Sequence, residues 1–478
     1  MSYPSLFRKI PAGRISAGII ALLIVVVVQN APAQTRTLRI VAYNIEADIG
    51  VTNKQSTFTN IMTSAAAGAP LPGLIAPPTN STAVQAGGVL EGIGEEVVNG
   101  DAARPLDILA LEETTSNPLT VTPIVNGLNA FYSFNGVAVV YTNSSYQATE
   151  SGGDTGDGNG PNAIVYNTST VQLLASVPVD PSGGTSKLGS SSGEYREVMR
   201  YEFAPAGITA TTTNEFYIYV SHYKSGGSSD ATPRGEEAQI VRADSATLPA
   251  TARILYVGDF NTGTTSEAMY KTLIGTGINQ AVDPLNPSGN TTLDFDDSSS
   301  SPYAYAQTDS SIYLEYRDDY EMMTTNVFYD YGNGLKLVPE TYHPFGNNGT
   351  TAYKGTANAS SNTSLTNLVT GAPISAAQLL IDLTGGSDHL PIYADYTIPM
   401  PSPVINNVSL AGTNLVFSAG NAATNGVYTL LTSTNLLTAL TNWTPLATNI
   451  SSGNSFTLTL TNGFNSSSSA HFFALSFK

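Results

Sequence analysis

The stretch that most constrains this chain is Ile254-Leu255-Tyr256-Val257-Gly258-Asp259-Phe260-Asn261. Four apolar residues of this kind form a buried strand. A glycine then opens a turn, and an acid and an amide follow two residues apart. Alternation along a strand places Asp259 and Asn261 on one side, at the end of a rigid platform. Both offer the oxygen that a hard divalent cation takes, and the Asn amide also donates to a phosphate oxygen. The same residues read equally well as a strand running into an Asx turn. The rest of the chain has to separate the two readings.

Other segments repeat the pattern of a short apolar strand that ends in polar residues. Residues 37–45 alternate and β-branch like a first core strand ending at Asn44. Asp107-Ile108-Leu109-Ala110-Leu111 runs straight into Glu112-Glu113, and a helix is expected over Val84 to Val98 from Val89, Leu90 and Ile93. This β–α–β order predicts a layered sheet covered by helices. Further strands are expected at 162–166, 171–174, 196–203, 216–221, 313–328 and 390–396, and a helix over 231–248 with Pro233 in its first turn. Residues 151–158 are rich in Gly and Asp but lack the closing Glu of a calcium loop, so they read as plain loop. Residues 283–311 and 343–376 are long polar insertions that shape substrate access or lack order.

After Pro399-Met400-Pro401-Ser402-Pro403 the composition changes. Residues 404–478 hold a single charged residue, Lys478, and alternate like strands at 415–417, 428–431, 456–460 and 471–477. The division expected is a signal peptide over 1–33, a large α/β domain over 34–398, a linker over 399–405 and a small β-sandwich over 406–478. Its Trp443, the chain's one tryptophan, reads as a core or edge residue or as a sugar contact.

The N-terminus carries Arg8, Lys9 and Arg14, then an apolar run from Ile15 to Val28, then Ala31-Pro32-Ala33. That order is an export signal cleaved after Ala33, and the run is short for a membrane span. No later stretch is long and apolar enough to cross a bilayer. The expected location is secreted or extracytoplasmic. The segment holds three of the 19 basic residues and no acid, so the remainder carries −21 against −18 for the whole. Such a surface excludes passive nucleic-acid binding through a basic patch but tolerates a divalent cation bridging protein to phosphate. With no cysteine there is no disulfide, thiolate nucleophile or thiolate zinc site.

Gathered together, the polar strand ends are Asn44, Glu113, His222, Asp259, Asn261, Asp319, Asp388 and His389. Carboxylates, amides and two histidines suit an oxygen site for Mg²⁺ or Mn²⁺, not tetrahedral zinc. His471 is assigned to structure, and His343 is left without a role.

In order, the motifs Tyr43-Asn44-Ile45, Leu111-Glu112-Glu113-Thr114, Ser221-His222-Tyr223-Lys224-Ser225, Gly258-Asp259-Phe260-Asn261, Arg317-Asp318-Asp319-Tyr320 and Ser387-Asp388-His389-Leu390-Pro391 resemble the endonuclease/exonuclease/phosphatase superfamily over about residues 37–398. The resemblance implies a DNase I-like four-layer α/β sandwich. It implies Asn44 and Glu113 as the metal pair, with Asp388 a second acid near the metal, and Asp259 and Asn261 orienting nucleophile and phosphate. It implies His389 as the histidine beside the scissile phosphate, oriented by Asp319, and His222 as a second catalytic histidine. Arg196 and Lys224 resemble phosphate contacts, and Asn162 is counted with them as phosphate-binding or as a polar partner for His222. A divalent cation follows, Mg²⁺ first with Mn²⁺ or Ca²⁺ as alternatives. Three departures stand out. Glu112 replaces a common glutamine and adds a negative charge, Glu321 replaces an apolar residue, and no acid precedes Asn162 to orient His222.

The function implied is a secreted nuclease acting on extracellular nucleic acid. A sphingomyelinase-like phospholipid phosphodiesterase is the alternative, disfavoured because the insertions are polar with tyrosines such as Tyr303 and Tyr305 as their aromatics. A non-catalytic surface-binding protein is a third reading, with residues 406–478 as the attachment to surface or matrix.

Overall fold

The computed structural model describes residues 34–46, 88–97, 103–114, 120–145, 161–179, 196–296, 304–308, 314–331, 334–347, 349, 383, 387–400, 403–422, 426–462 and 471–477. The segment expected to be an export signal, the 151–158 loop, most of the 343–376 insertion and Tyr303 lie outside them.

Two sheets face each other. Their strands, in chain order, are β1 (Gln34–Asn44), β2 (Ile108–Glu112), β3 (Tyr141–Asn143), β4 (Ala163–Asn167), β5 (Val171–Val179), β6 (Val198–Pro205), β7 (Phe216–His222), β8 (Ile254–Asp259), β9 (Ala281–Val282), β10 (Asp319–Thr324), β11 (Lys336–Leu337), β12 (His343–Pro344) and β13 (Ile392–Met400). The first sheet runs β11-β13-β1-β2-β4-β3, with β12 also on β13. The second runs β5-β6-β7-β8-β10-β9.

Strand alternation sorts the side chains into layers. Leu38, Ile40 and Ala42 of β1 join Ile218 and Val220 of β7 and Leu255 and Val257 of β8 in a core between the sheets. Val41 and Tyr43 of the same β1 face outward onto helices α1 (Val89–Glu95) and α2 (Thr122–Phe134). On the other side Ile254 and Tyr256 pack beneath α3 (Ala231–Ser245) and α4 (Ala268–Ile274). The result is helix, sheet, sheet, helix: the four-layer α/β sandwich expected from the sequence. Glu321, a polar residue on the inner face of β10, is fully buried and receives the Tyr396 hydroxyl at 2.6 Å from the opposite sheet.

Some elements differ from expectation. The strand expected over 313–328 is β10 followed by a single helical turn, α5 (Thr325–Phe328). Gly258 does not open a turn. It lies within β8 at φ 125°, and a Cβ there would sit 2.0 Å from the Ser221 carbonyl oxygen. The chosen residue is glycine because β7 passes too close for anything larger.

Beyond Met400, β14 (Val404–Ala411), β15 (Asn414–Gly420) and β18 (Ser455–Leu460) form one three-stranded sheet. The other is formed by β16 (Val427–Ser433), β17 (Thr444–Ile450) and β19 (Phe472–Phe477). They enclose their own core around Phe417, Leu430 and Leu475. Trp443 is buried, its indole N–H donating to the Thr438 carbonyl at 2.8 Å. Pro399 and Met400 complete β13 rather than lying in a linker.

Candidate active site

Strand direction decides where the polar residues gather. β1 and β2 run parallel, as do β7 and β8, so Asn44, Glu112, His222 and Asp259 all sit at carboxyl ends. β10 and β13 run against them and begin at the same edge: Asp319 pairs with Asp259, and Ile392 pairs with Ala42. Asn44, His222, Asp259 and Asp319 share the parity of the residues between the sheets. They therefore line the mouth of the sandwich.

Two clusters share Asp259 there. Carboxylate oxygens of Glu113 and Asp259 and a ring nitrogen of His222 all lie within 4.8 Å of one another, and so do those of Asp259, Asp319 and His389. The Asn44 amide donates to Glu113 Oε1 at 3.0 Å and Asp259 Oδ2 at 3.1 Å. His222 Nε2 stands 3.5 Å from Glu113 and 3.3 Å from Asp259. Glu113 leaves β2 in the left-handed region at φ 54°, a strained conformation for a glutamate at the point where its carboxylate meets the cluster.

His389 Nδ1 meets Asp319 Oδ2 at 2.8 Å, and its Nε2 stands 3.7 Å from Asp259 Oδ2. Ser387 anchors this segment by donating to the Asn44 carbonyl at 2.7 Å while accepting the His389 N–H at 3.1 Å. Asp388 is half exposed, 3.9 Å from His389 Nε2, and belongs to neither cluster.

The two histidines are held in opposite states. Burial, then the charges of Arg196, His389 and Lys224, push His222 well below its ordinary range, so its contacts with the acids are those of a neutral ring. Burial opposes the charge on His389 too, but Asp319 and Asp259 outweigh it and hold that ring well above its ordinary range. Burial pushes Asp259 up to about 6, with His389 pulling it back.

Asn261 lies past the end of β8 at φ 52°, not on the strand. Its N–H closes an Asx turn on Asp259 Oδ1 at 2.8 Å, and its amide donates to the Tyr223 carbonyl at 3.0 Å. The Asx turn and the polar cluster are thus both present. Arg196 reaches the Tyr223 carbonyl at 2.6 Å and Ser225 Oγ at 3.0 Å. Asn162 bonds the carbonyls of Glu197 and Val220, each at 3.1 Å, rather than His222. Among the described residues His222 Nδ1 has no hydrogen-bond partner, which fits the lack of an orienting acid near Asn162.

Glu112 is wholly buried, and its carboxyl has no hydrogen-bond partner among the described residues. Burial, with Asp319 and Asp259 nearby, drives its carboxyl well above the ordinary range. Its surroundings thus oppose the added negative charge expected from the sequence and favour the protonated acid, the near isostere of glutamine.

The residue that sequence reasoning missed is Thr308, in the 283–311 insertion. Its hydroxyl accepts the N–H groups of Asp318 and Asp319 at 3.2 Å, and its carbonyl accepts the Leu390 N–H at 2.6 Å. It ties Asp319 to the His389 segment. Arg317, one motif residue earlier, is an anchor: it bonds both oxygens of Asp283 at 2.8 Å between the rings of Phe295 and Tyr320.

No protein-family model matches the sequence, and no curated protein does. Among solved structures, an endonuclease/exonuclease/phosphatase family protein from Bacteroides thetaiotaomicron is 12% identical, covering 77% of this chain and 98% of that one at a TM-score of 0.39. The human nocturnin catalytic domain with bound sulfate is 14% identical over 76% and 96%, TM-score 0.40. A mannosyl-6-phosphatase of B. thetaiotaomicron is 13% identical over 75% and 99%, TM-score 0.37. In motif order and architecture, the chain resembles the endonuclease/exonuclease/phosphatase superfamily. Likenesses this distant carry nothing about the reaction, which rests on the site itself.

The donor set fits a hard divalent cation. Two buried carboxylates, Glu113 and Asp259, converge with the imidazole of His222, while the Asn44 NH2 faces those acids and its Oδ1 accepts the Glu46 N–H at 3.1 Å; no thiol is available.

Proposed function

We propose that this chain is a divalent-cation-dependent phosphodiesterase that hydrolyses nucleic acid outside the cytoplasm. The observation that carries the reading is the His389–Asp319 pair facing Asp259, with Glu113, Asn44 and His222 completing the ring of donors. Glu113, Asp259, Asn44 and His222 are the residues to hold the cation, with Asp388 at the rim. Mg²⁺ is the first choice. When bound, such an ion neutralises phosphate charge and stabilises the developing oxyanion.

The protein's own groups do the rest. Arg196 and Lys224 bind the non-bridging phosphate oxygens. Asp319 fixes the tautomer of His389 so that Nε2 is the atom that exchanges a proton with water or the leaving oxygen. Asn261 and Asn162 hold the loops that frame the phosphate. The export signal over 1–33, cleaved after Ala33, places the enzyme outside the cytoplasm, and the uncharged strands of 406–478 serve attachment to a surface or matrix. No helix of the described residues is long and apolar enough to cross a membrane.

Plasmid DNA, RNA, sphingomyelin, mannose 6-phosphate and bis(4-nitrophenyl) phosphate, each with Mg²⁺, Mn²⁺, Ca²⁺ or chelator, test the reading together. DNA or RNA cleavage that disappears with chelator supports it, and turnover of sphingomyelin alone replaces it with the phospholipid reading. Glu113→Ala and His389→Ala should each lower turnover by at least about 10²-fold with the fold intact by circular dichroism. Unchanged turnover in either variant overturns the assignment.

A further inference from the structure

Glu237 lies on α3, outside the ring of donors, and is buried. Its two oxygens accept two backbone N–H groups: Oε1 that of Arg196 and Oε2 that of Lys224, each at 2.9 Å. Arg196 stands ahead of β6 and Lys224 follows β7, so one carboxylate joins two separate approaches to the site. One turn earlier on the same face of α3, Arg234 donates to the carbonyls of Lys224 at 2.9 Å and Gly226 at 3.0 Å. Glu267 holds that guanidinium in turn, at 2.9 Å to its Nε. The segment carrying Lys224 is thus gripped by α3 at both its N–H and C=O groups.

The chemistry of the clamp is specific. Only a carboxylate offers two acceptor oxygens in a side chain of this size, and a glutamine replaces one with a donor. Burying a carboxyl without a cation at bonding distance is unfavourable for the fold, and burial here pushes Glu237 up to about 7. Its two bonds both end on residues whose charges are felt at the site. Arg196 and Lys224 depress His222, and Arg196 also offsets the upward shift of Asp259.

We infer that Glu237 is a positioning residue for the cationic half of the site: it fixes the backbone from which Arg196 and Lys224 reach the phosphate, and so sets affinity for the anion rather than the rate of bond cleavage. The inference rests on the reading of Arg196 and Lys224 as phosphate contacts.

The test uses the full chain with bis(4-nitrophenyl) phosphate as substrate and inorganic phosphate as competitor. E237Q should raise the KM for the diester and the inhibition constant for phosphate about tenfold, the effect of losing one buried hydrogen bond. The kcat should stay within about threefold. In an R196A/K224A background the same substitution should change neither constant, because the groups it positions are gone. E237A should exceed E237Q in the same direction, and where E237A does not fold, the near-isosteric E237Q carries the test. An unchanged KM, a fall in kcat alone, or an effect that persists undiminished in R196A/K224A overturns the inference. If R196A/K224A itself handles the diester and phosphate as the wild type does, the assignment of those cations to the phosphate fails, and the role of Glu237 falls with it.

Discussion

A carboxyl buried beneath a cluster of other carboxylates is driven toward its protonated form, and burial with Asp319 and Asp259 drives Glu112 that way. Its Oε1 lies where a Cβ on Gly258 would come within 2.8 Å of it, so the acid fills the space between the sheet ends that the glycine leaves. Glu112→Gln removes an ionisable proton while keeping shape and polarity. The expected result is a kcat within about threefold of wild type and a stability change below about 1 kcal/mol, because glutamine keeps the shape and polarity of the protonated acid that the surroundings favour. Turnover and urea unfolding check it, and a loss of about 10²-fold in kcat would show that the ionised form is needed. Sequence reasoning found which polar residues end strands, because period-2 alternation places Asn44, His222, Asp259 and Asp319 on one face whatever the tertiary detail. It misplaced Asn261, because a left-handed residue breaks that alternation, and it took Gly258 for a turn residue because a close strand crossing is a tertiary fact. Thr308 gave no signal at all. A threonine in a polar stretch looks like any other until the fold brings Asp319 and Leu390 to it.

At the scale of elements, the mixed directions of the strands bring the motifs together. Parallel pairs β1–β2 and β7–β8 deliver carboxyl ends, and antiparallel β10 and β13 deliver amino ends, to the same edge. The buried strands were legible because they are short, apolar and β-branched. Helix α2 was not, since its Pro123, Gly127 and three aromatic residues are poor helix formers and its helicity comes from packing on the first sheet. Strand β17 was hidden by Pro445, which a β-strand accepts at the edge of its sheet, where β17 lies. Glu321 and Tyr396 connect elements of the two sheets across the core. Burial pushes this carboxyl well above its ordinary range as well, which favours its uncharged form in the bond. Tyr396→Phe leaves the acid without that partner and should cost about 1–3 kcal/mol in chemical unfolding. The double variant Glu321→Leu with Tyr396→Phe should recover a good part of the loss, since an apolar pair needs no partner. A double variant less stable than Tyr396→Phe would refute the argument.

For the whole molecule, the decisive quantity is the number of carboxyls whose hold on a proton folding strengthens. Burial pushes Glu91 up to about 8, Glu237 to about 7, and Asp107 and Asp296 to about 6. In the unfolded chain such groups lose their protons near pH 4. Between that pH and each raised value the native state binds more protons than the unfolded state, so the slope of stability against pH is negative. Stability should therefore fall from about pH 5 to about pH 8, with the formal charge of −18 adding self-repulsion in the same direction. Glu91→Gln removes the group raised to about 8, and its side-chain oxygen can still accept the Gly88 N–H, now at 2.8 Å from the carboxylate. That variant should flatten the profile between pH 6 and 8. Thermal unfolding across this range, in chelator so that no cation binds Glu113 and Asp259, measures both curves. A wild-type midpoint that rises from pH 5 to pH 8 would sink the argument. Adding Mg²⁺ at pH 8 should then raise the midpoint in proportion to the logarithm of its concentration, because an ion that binds only the folded donors draws the equilibrium toward them. Glu113→Ala should abolish that rise while leaving the pH profile unchanged, which separates the charge held by the fold from the charge held for the ion.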